Sequence, residues 1–289
     1  MFRGIWAWNW AEAATEDKPK PGGVAFDASV AHPARIYDYW LGGKDNFAAD
    51  RLAAEEVLAI MPAIAQVART VRMFLAAVVH HLAADAGIRQ FLDIGTGLPT
   101  VNNTHEVAQR AAPESRIVYV DNDPAVLMHA RALLTSSPDG RCAYVDADAR
   151  DPDRILAEAA RTLDFAEPVA VMMLGLLHFV PDIDAPYALT RYYLDAMSSG
   201  SYLAISHASS DIRAEPQQAA AKSYNARSAT PITLRSRAEV TRFFDGLDLV
   251  PPGITPLGQW APGALLTAPS SLPTYTALAR KPSLGDRQH

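Results

Sequence analysis

The chain has 289 residues, 49% of them hydrophobic, with a formal net charge of -6, which is enough to bury one substantial core and leaves no broad cationic surface for a phosphate backbone. A single cysteine excludes an internal disulfide framework and suits a reducing cytoplasm, and no uninterrupted apolar run approaches the ~20 residues that span a bilayer. The expectation is a cytoplasmic protein with a small-molecule partner and neither nucleic acid nor membrane.

Residues 1–25, with three tryptophans by Trp10 and a lysine, proline and glycine run from Glu16 to Gly23, read as a flexible extension lacking the apolar core of a signal peptide. Residues 26–87 read as a helical lid segment. The aromatic stretch Ala31 to Phe47, holding Tyr37, Tyr39, Trp40 and the pair Gly42-Gly43, precedes helical periodicity over roughly Phe47 to Met61 and Ala65 to Ala86, ended at Gly87. Residues 88–281 then alternate strand and helix, the pattern of a parallel α/β sheet with helices on both faces. Strands are expected at Gln90 to Asp93, Ile117 to Asp121, Ala143 to Asp146, Val169 to Leu174 and Ser201 to Ser206. Asp123-Pro124 and Asp151-Pro152 each put an N-cap acid before a proline at the first helical position, and Ser236 with Glu239 forms a capping box. A helix through Phe244, then strands at Asp248 to Val250 and Tyr275 to Ala279, would close a mostly parallel seven-stranded sheet with a C-terminal hairpin. Residues 282–289 read as a tail.

The chemistry concentrates where the first strand ends. Asp93-Ile94-Gly95-Thr96-Gly97 follows the apolar Phe91-Leu92, a strand running into a tight glycine turn where open α/β sheets hold nucleotide-like cofactors. The glycines permit positive φ and let backbone pass close beneath a ligand. A dinucleotide would bring a pyrophosphate to this turn, and Asp93 would repel it; S-adenosylmethionine brings an ammonium and a sulfonium instead. Thr100 also stands where the dinucleotide fingerprint has its third glycine. Asp121, ending the second strand beside Asn122, is placed to grip ribose hydroxyls. Asp148, after the third strand, can accept from an adenine amino group while the Ala149 N–H donates to a ring nitrogen. Leu174 and Gly175, at the fourth strand's carboxyl end, face the transferring methyl group.

These features together resemble the class I S-adenosylmethionine-dependent methyltransferases, whose core is a Rossmann-like sheet. The runs Arg35 to Phe47, Arg89 to Thr100, His105 to Gln109 and Tyr119 to Pro124 are further similar to a bacterial methyltransferase family long catalogued as a domain of unknown function. That resemblance spans roughly Phe26 to the last strand and implies S-adenosylmethionine as cofactor, with an N-terminal segment packed over it. Where it leads one to expect an asparagine before the arginine of the second helix, this chain has Val71-Arg72.

Tyr37 can cover the cofactor by stacking or cation–π attraction, and Lys44 could pair with the methionine carboxylate or simply face solvent. His178 and His207, each just past an expected strand end, are candidates for a base that takes a proton during transfer, as is His105; methyl transfer can also proceed by alignment in a dry pocket alone. No Asn/Asp-Pro-Pro-aromatic signature for a flipped base follows the fourth strand, no strand-end cysteine is placed to attack a pyrimidine, and no cysteine–histidine cluster has metal-ligand spacing. The expected function is methyl transfer to an unidentified small molecule. A non-catalytic S-adenosylmethionine-binding sensor or partner-binding protein is the first rival, and a nicotinamide-dependent oxidoreductase the second.

Overall fold

The computed structural model describes residues 27–133, 136–260 and 272–283; the expected extension over 1–25, and 284–289 of the expected tail, lie outside the described residues. Strands β1 (Gln90–Ile94), β2 (Arg116–Asp121), β3 (Arg141–Asp146), β4 (Ala170–Leu174) and β5 (Tyr202–Ala208) pair in parallel in the order β3-β2-β1-β4-β5. β1 is buried at every position, which is why its apolar run shows no alternation: helices cover both faces.

The sheet has eight strands among the described residues, not the expected seven. Beyond β6 (Asp248–Leu249) and β7 (Thr255–Leu257), β8 (Leu272–Arg280) lies antiparallel beside β5. β6 pairs with Arg280 and Ala279 of β8, whereas β7 pairs farther along the same strand, at Thr276, Tyr275 and Leu272. Pro251-Pro252-Gly253 separates the two. Neither proline has an N–H to give a ladder, so the edge position stops and resumes as two short pieces.

The helices are α1 (Pro33–Leu41), α2 (Ala48–Ile60), α3 (Ile64–Ala84), α4 (Thr104–Ala111), α5 (Pro124–Leu133), α6 (Pro152–Ala159), α7 (Pro186–Asp195), α8 (Ala214–Asn225) and α9 (Arg237–Thr241). One sheet face packs Leu92, Val118 and Val171 against Ile155, Tyr193 and Phe243, and the other packs Phe91, Ile117 and Ala170 against Phe74, Val78, Leu82 and Val107. α3 is long and apolar enough to cross a membrane by length and composition, but Val71, Phe74, Val78 and Leu82 on its inner face are core residues. A third cluster lies away from the sheet: Ile36 and Trp40 of α1, Ala54 and Val57 of α2, and Ala220 and Tyr224 of α8.

Two of those elements run beyond the sequence reading. α1 forms inside the aromatic stretch, with Pro33 in its first turn and Gly42 at φ 85° ending it, a pairing that suits proline's fixed φ and glycine's left-handed freedom. α8 carries Pro216 within its first turn, where no intrahelical N–H is needed, before the strong helix-formers Ala219-Ala220-Ala221.

Candidate functional site

A cavity of about 380 Å³ opens at the carboxyl ends of β1, β2, β4 and β5 and is roofed by α1, α2 and α8. On its floor, Gly95 (φ 74°) and Gly97 (φ 68°) turn the chain out of β1. A Cβ on Gly95 would lie 2.7 Å from Leu176 Cδ1, so a side chain here would have to displace Leu176 as well as hold a positive φ. The Gly95 N–H donates to Val120 O at 2.8 Å, and the Gly97 N–H donates to Asp121 Oδ2 at 2.8 Å.

Asp121 is thereby oriented by backbone, since its other oxygen accepts the Asp123 N–H at 2.9 Å. Each carboxylate oxygen keeps acceptor capacity for a ligand hydroxyl. Burial raises the Asp121 pKa. Asp123 in turn ties the roof to the floor: His32 Nδ1 lies 2.8 Å from Asp123 Oδ2 and Arg35 Nη1 3.3 Å from it, while Arg35 Nε donates to Asp50 of α2 at 2.9 Å. The N-terminal segment is therefore tied to the end of β2 by the buried Arg35–Asp123 ion pair, with His32 beside it.

Asp93 is 4% exposed and accepts the Thr104 hydroxyl at 2.6 Å. Burial pushes its pKa up to about 6 against the lowering effects of Thr104 and the Arg72 charge. Arg72 lines the same end of the cavity, its Nη2 donating to Val101 O and Asn102 O while its Nε is buried without a hydrogen-bond partner. Val71, where a polar residue was expected, is a buried core residue that also reaches the cavity wall. Lys44 is exposed and is not among the cavity-lining residues; the cation at this end is Arg72.

Asp148 lies on the opposite wall with Asn122, whose amide approaches Asp148 Oδ2 at 3.4 Å. Arg150 grips both Asp148 oxygens, at 2.9 and 2.7 Å, and its hydrogen bonds hold the Asp148 pKa below the ordinary carboxylate value. The Ala149 carbonyl accepts from Tyr193 at 2.7 Å, which fixes the turn. Gly175 (φ 71°) follows Leu174, and its N–H donates to Ser206 O at 3.0 Å. Tyr37 also lines the cavity, with its hydroxyl donating to Ala68 O at 2.8 Å. Of the residues expected to hold a cofactor, Tyr37, Asp93, Gly95, Thr96, Gly97, Asp121, Asn122, Asp148, Ala149, Leu174 and Gly175 all face this one cavity.

The histidines divide. His178 is on the wall; burial, together with the nearby His207 and Arg235, drives its pKa well below 6.5, so the ring is neutral at pH 7. His207 is not on the wall, which corrects its reading as a base facing the substrate. Side chains alternate along a strand, so Ser206 and Ala208 of β5 face the cavity and His207 points to the other side. There its Nε2 accepts from Arg235 at 2.9 Å and its Nδ1 donates to Ala208 O at 2.8 Å, leaving no free lone pair, and burial lowers its pKa to about 3. His105 is likewise buried against Tyr119, at 2.8 Å, outside the lining. Among the described residues no group of three His, Cys, Asp or Glu side chains could hold a metal ion.

The profile of the S-adenosyl methyltransferase family matches residues 20–282. The chain belongs to that family. S-adenosylmethionine is its cofactor, and the cavity fits that group: a buried carboxylate and a half-buried guanidinium, whose Nε is buried without a partner, meet at the glycine turn, where a zwitterionic methionine end needs both signs. A protein of the DUF574 family from Streptomyces avermitilis MA-4680 is 46% identical, with a TM-score of 0.85 over 89% of this chain and 99% of that one. A candidate methyltransferase from Thermobifida fusca YX is 38% identical, with a TM-score of 0.81 over 88% and 96% of the two chains. The mitomycin 7-O-methyltransferase MmcR, 19% identical with a TM-score of 0.50 over 88% of this chain and 74% of that one, shares the fold. No curated protein matches.

Proposed function

We propose that this family member is an active enzyme that transfers a methyl group from S-adenosylmethionine to a small molecule held in the same cavity. What supports this reading is continuity: the residues placed for the cofactor and the uncharged wall formed by His178, Ser206, Gln217 and Tyr224 line one roofed space. Asp93 would face the ammonium and Arg72 the carboxylate of the methionine end. Asp121 would accept from the ribose hydroxyls, and Asp148 with the Ala149 N–H would receive adenine. Tyr37 would close the cofactor from above. When bound, the cofactor supplies an electrophilic methyl group on a sulfonium. The protein's part is to align an acceptor with that methyl group and to exclude water, and the roof of α1, α2 and α8 serves both ends. His178, neutral and on the wall, would take a proton from the acceptor.

The test is release of S-adenosylhomocysteine when the full chain is incubated with S-adenosylmethionine and a panel of small hydroxyl, amine and carbon acceptors, with single-stranded DNA as a control. Turnover on a small acceptor is the expected result. Cofactor binding without turnover on any acceptor would favour a sensor over an enzyme.

A further inference from the structure

We propose that the far end of the cavity is an acceptor subsite for a neutral, largely apolar ring bearing a hydroxyl group, with Ser206 and Gln217 as its specificity-determining contacts. This rests on the methyltransferase reading above and names the substrate class of that site.

Three buried polar atoms on this wall have no hydrogen-bond partner: Ser206 Oγ, Gln217 Oε1 and His178 Nδ1. Ser206 is 1% exposed and Gln217 is 6% exposed. The Gln217 amide nitrogen is directed at Pro273 O, at 3.5 Å, so the oxygen is the end left to a ligand. An unpaired buried polar atom is costly, and native cores contain few. Three on one cavity wall are explained by a ligand that pairs with them. Gln217 Oε1 can only accept, so the ligand must bring a donor; Ser206 Oγ and His178 Nδ1 can accept as well.

Charge narrows the class. The acidic and arginine side chains on the lining (Arg72, Asp93, Asp121, Asp148 and Arg150) belong to the glycine turn and the ends of β2 and β3 or to the helix opposite them, and His32 on the lining is held by Asp123 at the end of β2. Arg235, behind the far wall, directs its two terminal nitrogens to Leu177 O, Val180 O, Asp182 and His207. An anionic acceptor would be desolvated there with no cationic side chain on the wall to pair with, Arg235 lying behind it and bonded to Asp182, and an ammonium would meet no carboxylate on the wall. A neutral hydroxyl can donate its one proton to Gln217 or His178 and accept from Ser206, so it pairs two of these atoms at once. Phe179 and Tyr224, with ring centroids 6.1 Å apart, and Ile232 and Leu234 supply the apolar and aromatic surface for a flat ring.

The transfer balances without another reagent. The acceptor oxygen bonds to the methyl carbon as the carbon–sulfur bond breaks, with its electron pair left on sulfur, and the hydroxyl proton passes to His178 Nδ1 and then to solvent. One positive charge leaves sulfur as one arrives on the imidazole, so a ring that resists protonation in the resting cavity can accept it at that moment.

The experiment titrates full-length protein, saturated with S-adenosylhomocysteine at pH 7.5, with 2-naphthol, with 2-methoxynaphthalene, in which the donor is capped, and with the anion naphthalene-2-carboxylate. 2-Naphthol should bind roughly tenfold tighter than either, as expected from at least one additional paired hydrogen bond and no stranded charge. Ser206→Ala and Gln217→Leu should each weaken 2-naphthol roughly three- to tenfold while leaving S-adenosylhomocysteine affinity unchanged. Ser206→Ala should also leave the ligand-free melting temperature unchanged or raised, because an unpaired polar atom is removed; a merely structural serine would lower it. Naphthalene-2-carboxylate binding as tightly as 2-naphthol, or unchanged 2-naphthol affinity in both variants, overturns the subsite. Failure of S-adenosylhomocysteine itself to bind would instead overturn the methyltransferase reading.

Discussion

Asp93 carries a pH signature that separates a cofactor role from a structural one. Burial raises its pKa from 3.8 to about 6. Because the folded value lies above the unfolded one, the ligand-free protein is destabilised above about pH 6, where Asp93 is ionised in both states, and recovers that stability as the pH falls toward 4. The gap between 3.8 and about 6 corresponds to about 3 kcal/mol. A bound ammonium favours the ionised form and reverses the balance. At pH 5 only about a tenth of the ligand-free protein has Asp93 ionised, so S-adenosylmethionine affinity should fall about tenfold between pH 7.5 and 5, with about half a proton released per ligand bound at pH 6. Asp93→Asn keeps an oxygen to accept the Thr104 hydroxyl and removes the titration. The variant should be more stable without ligand at pH 7.5, by up to about 3 kcal/mol, and should bind S-adenosylmethionine more weakly with that affinity step gone. Denaturant unfolding without ligand, and calorimetric titration across pH in two buffers, read these quantities. A wild-type affinity that is flat from pH 5 to 7.5, or an Asp93→Asn protein that retains the step, would refute the reasoning.

Asp121→Ala should weaken S-adenosylmethionine by about 1.5–3 kcal/mol per charge-assisted bond lost with the fold retained by circular dichroism; unchanged affinity in calorimetry removes Asp121 from the site. Asp148→Asn should reduce affinity modestly and equally for S-adenosylmethionine and S-adenosylhomocysteine, and an effect on one ligand alone would contradict its assignment to adenine. Gly95→Ala meets both a φ of 74° and Leu176 Cδ1 at 2.7 Å, whereas Gly97→Ala meets a φ of 68° with open space; thermal unfolding should show both destabilised, by about 1–2 kcal/mol for Gly97 and more for Gly95. Amide exchange across Ile36 to Phe47 should slow with saturating cofactor if α1 acts as a lid, and equal exchange in both states would leave it as packing.

The amino-acid sequence makes legible those parts of the site that local chain order encodes. A glycine turn behind an apolar run, and an acid at each strand end, are short-range signals with a direct geometric meaning, and Asp93, Asp121 and Asp148 indeed face one cavity. β5 shows why other residues are not legible in this way. Its Leu203, Ala204, Ile205, Ser206 and His207 are all buried, so no alternation of polarity tells which side chains share a face. A histidine invites a catalytic reading, yet strand parity gives the wall to Ser206. Arg72 and Gln217 escape a sequence reading because their place on the cavity wall depends on tertiary contacts: they sit on α3 and α8, helices whose other residues pack conventionally. The split edge strand escapes because β7 spans three residues and includes a proline, too short a run for periodicity to register.

The central claim, that this cavity holds S-adenosylmethionine, is tested most directly by calorimetric titration of the full chain at pH 7.5. The account predicts saturable binding at one site, displaced by S-adenosylhomocysteine and unaffected by reduced nicotinamide dinucleotide. No detectable binding of either adenosyl ligand, or displacement by the dinucleotide, would contradict it.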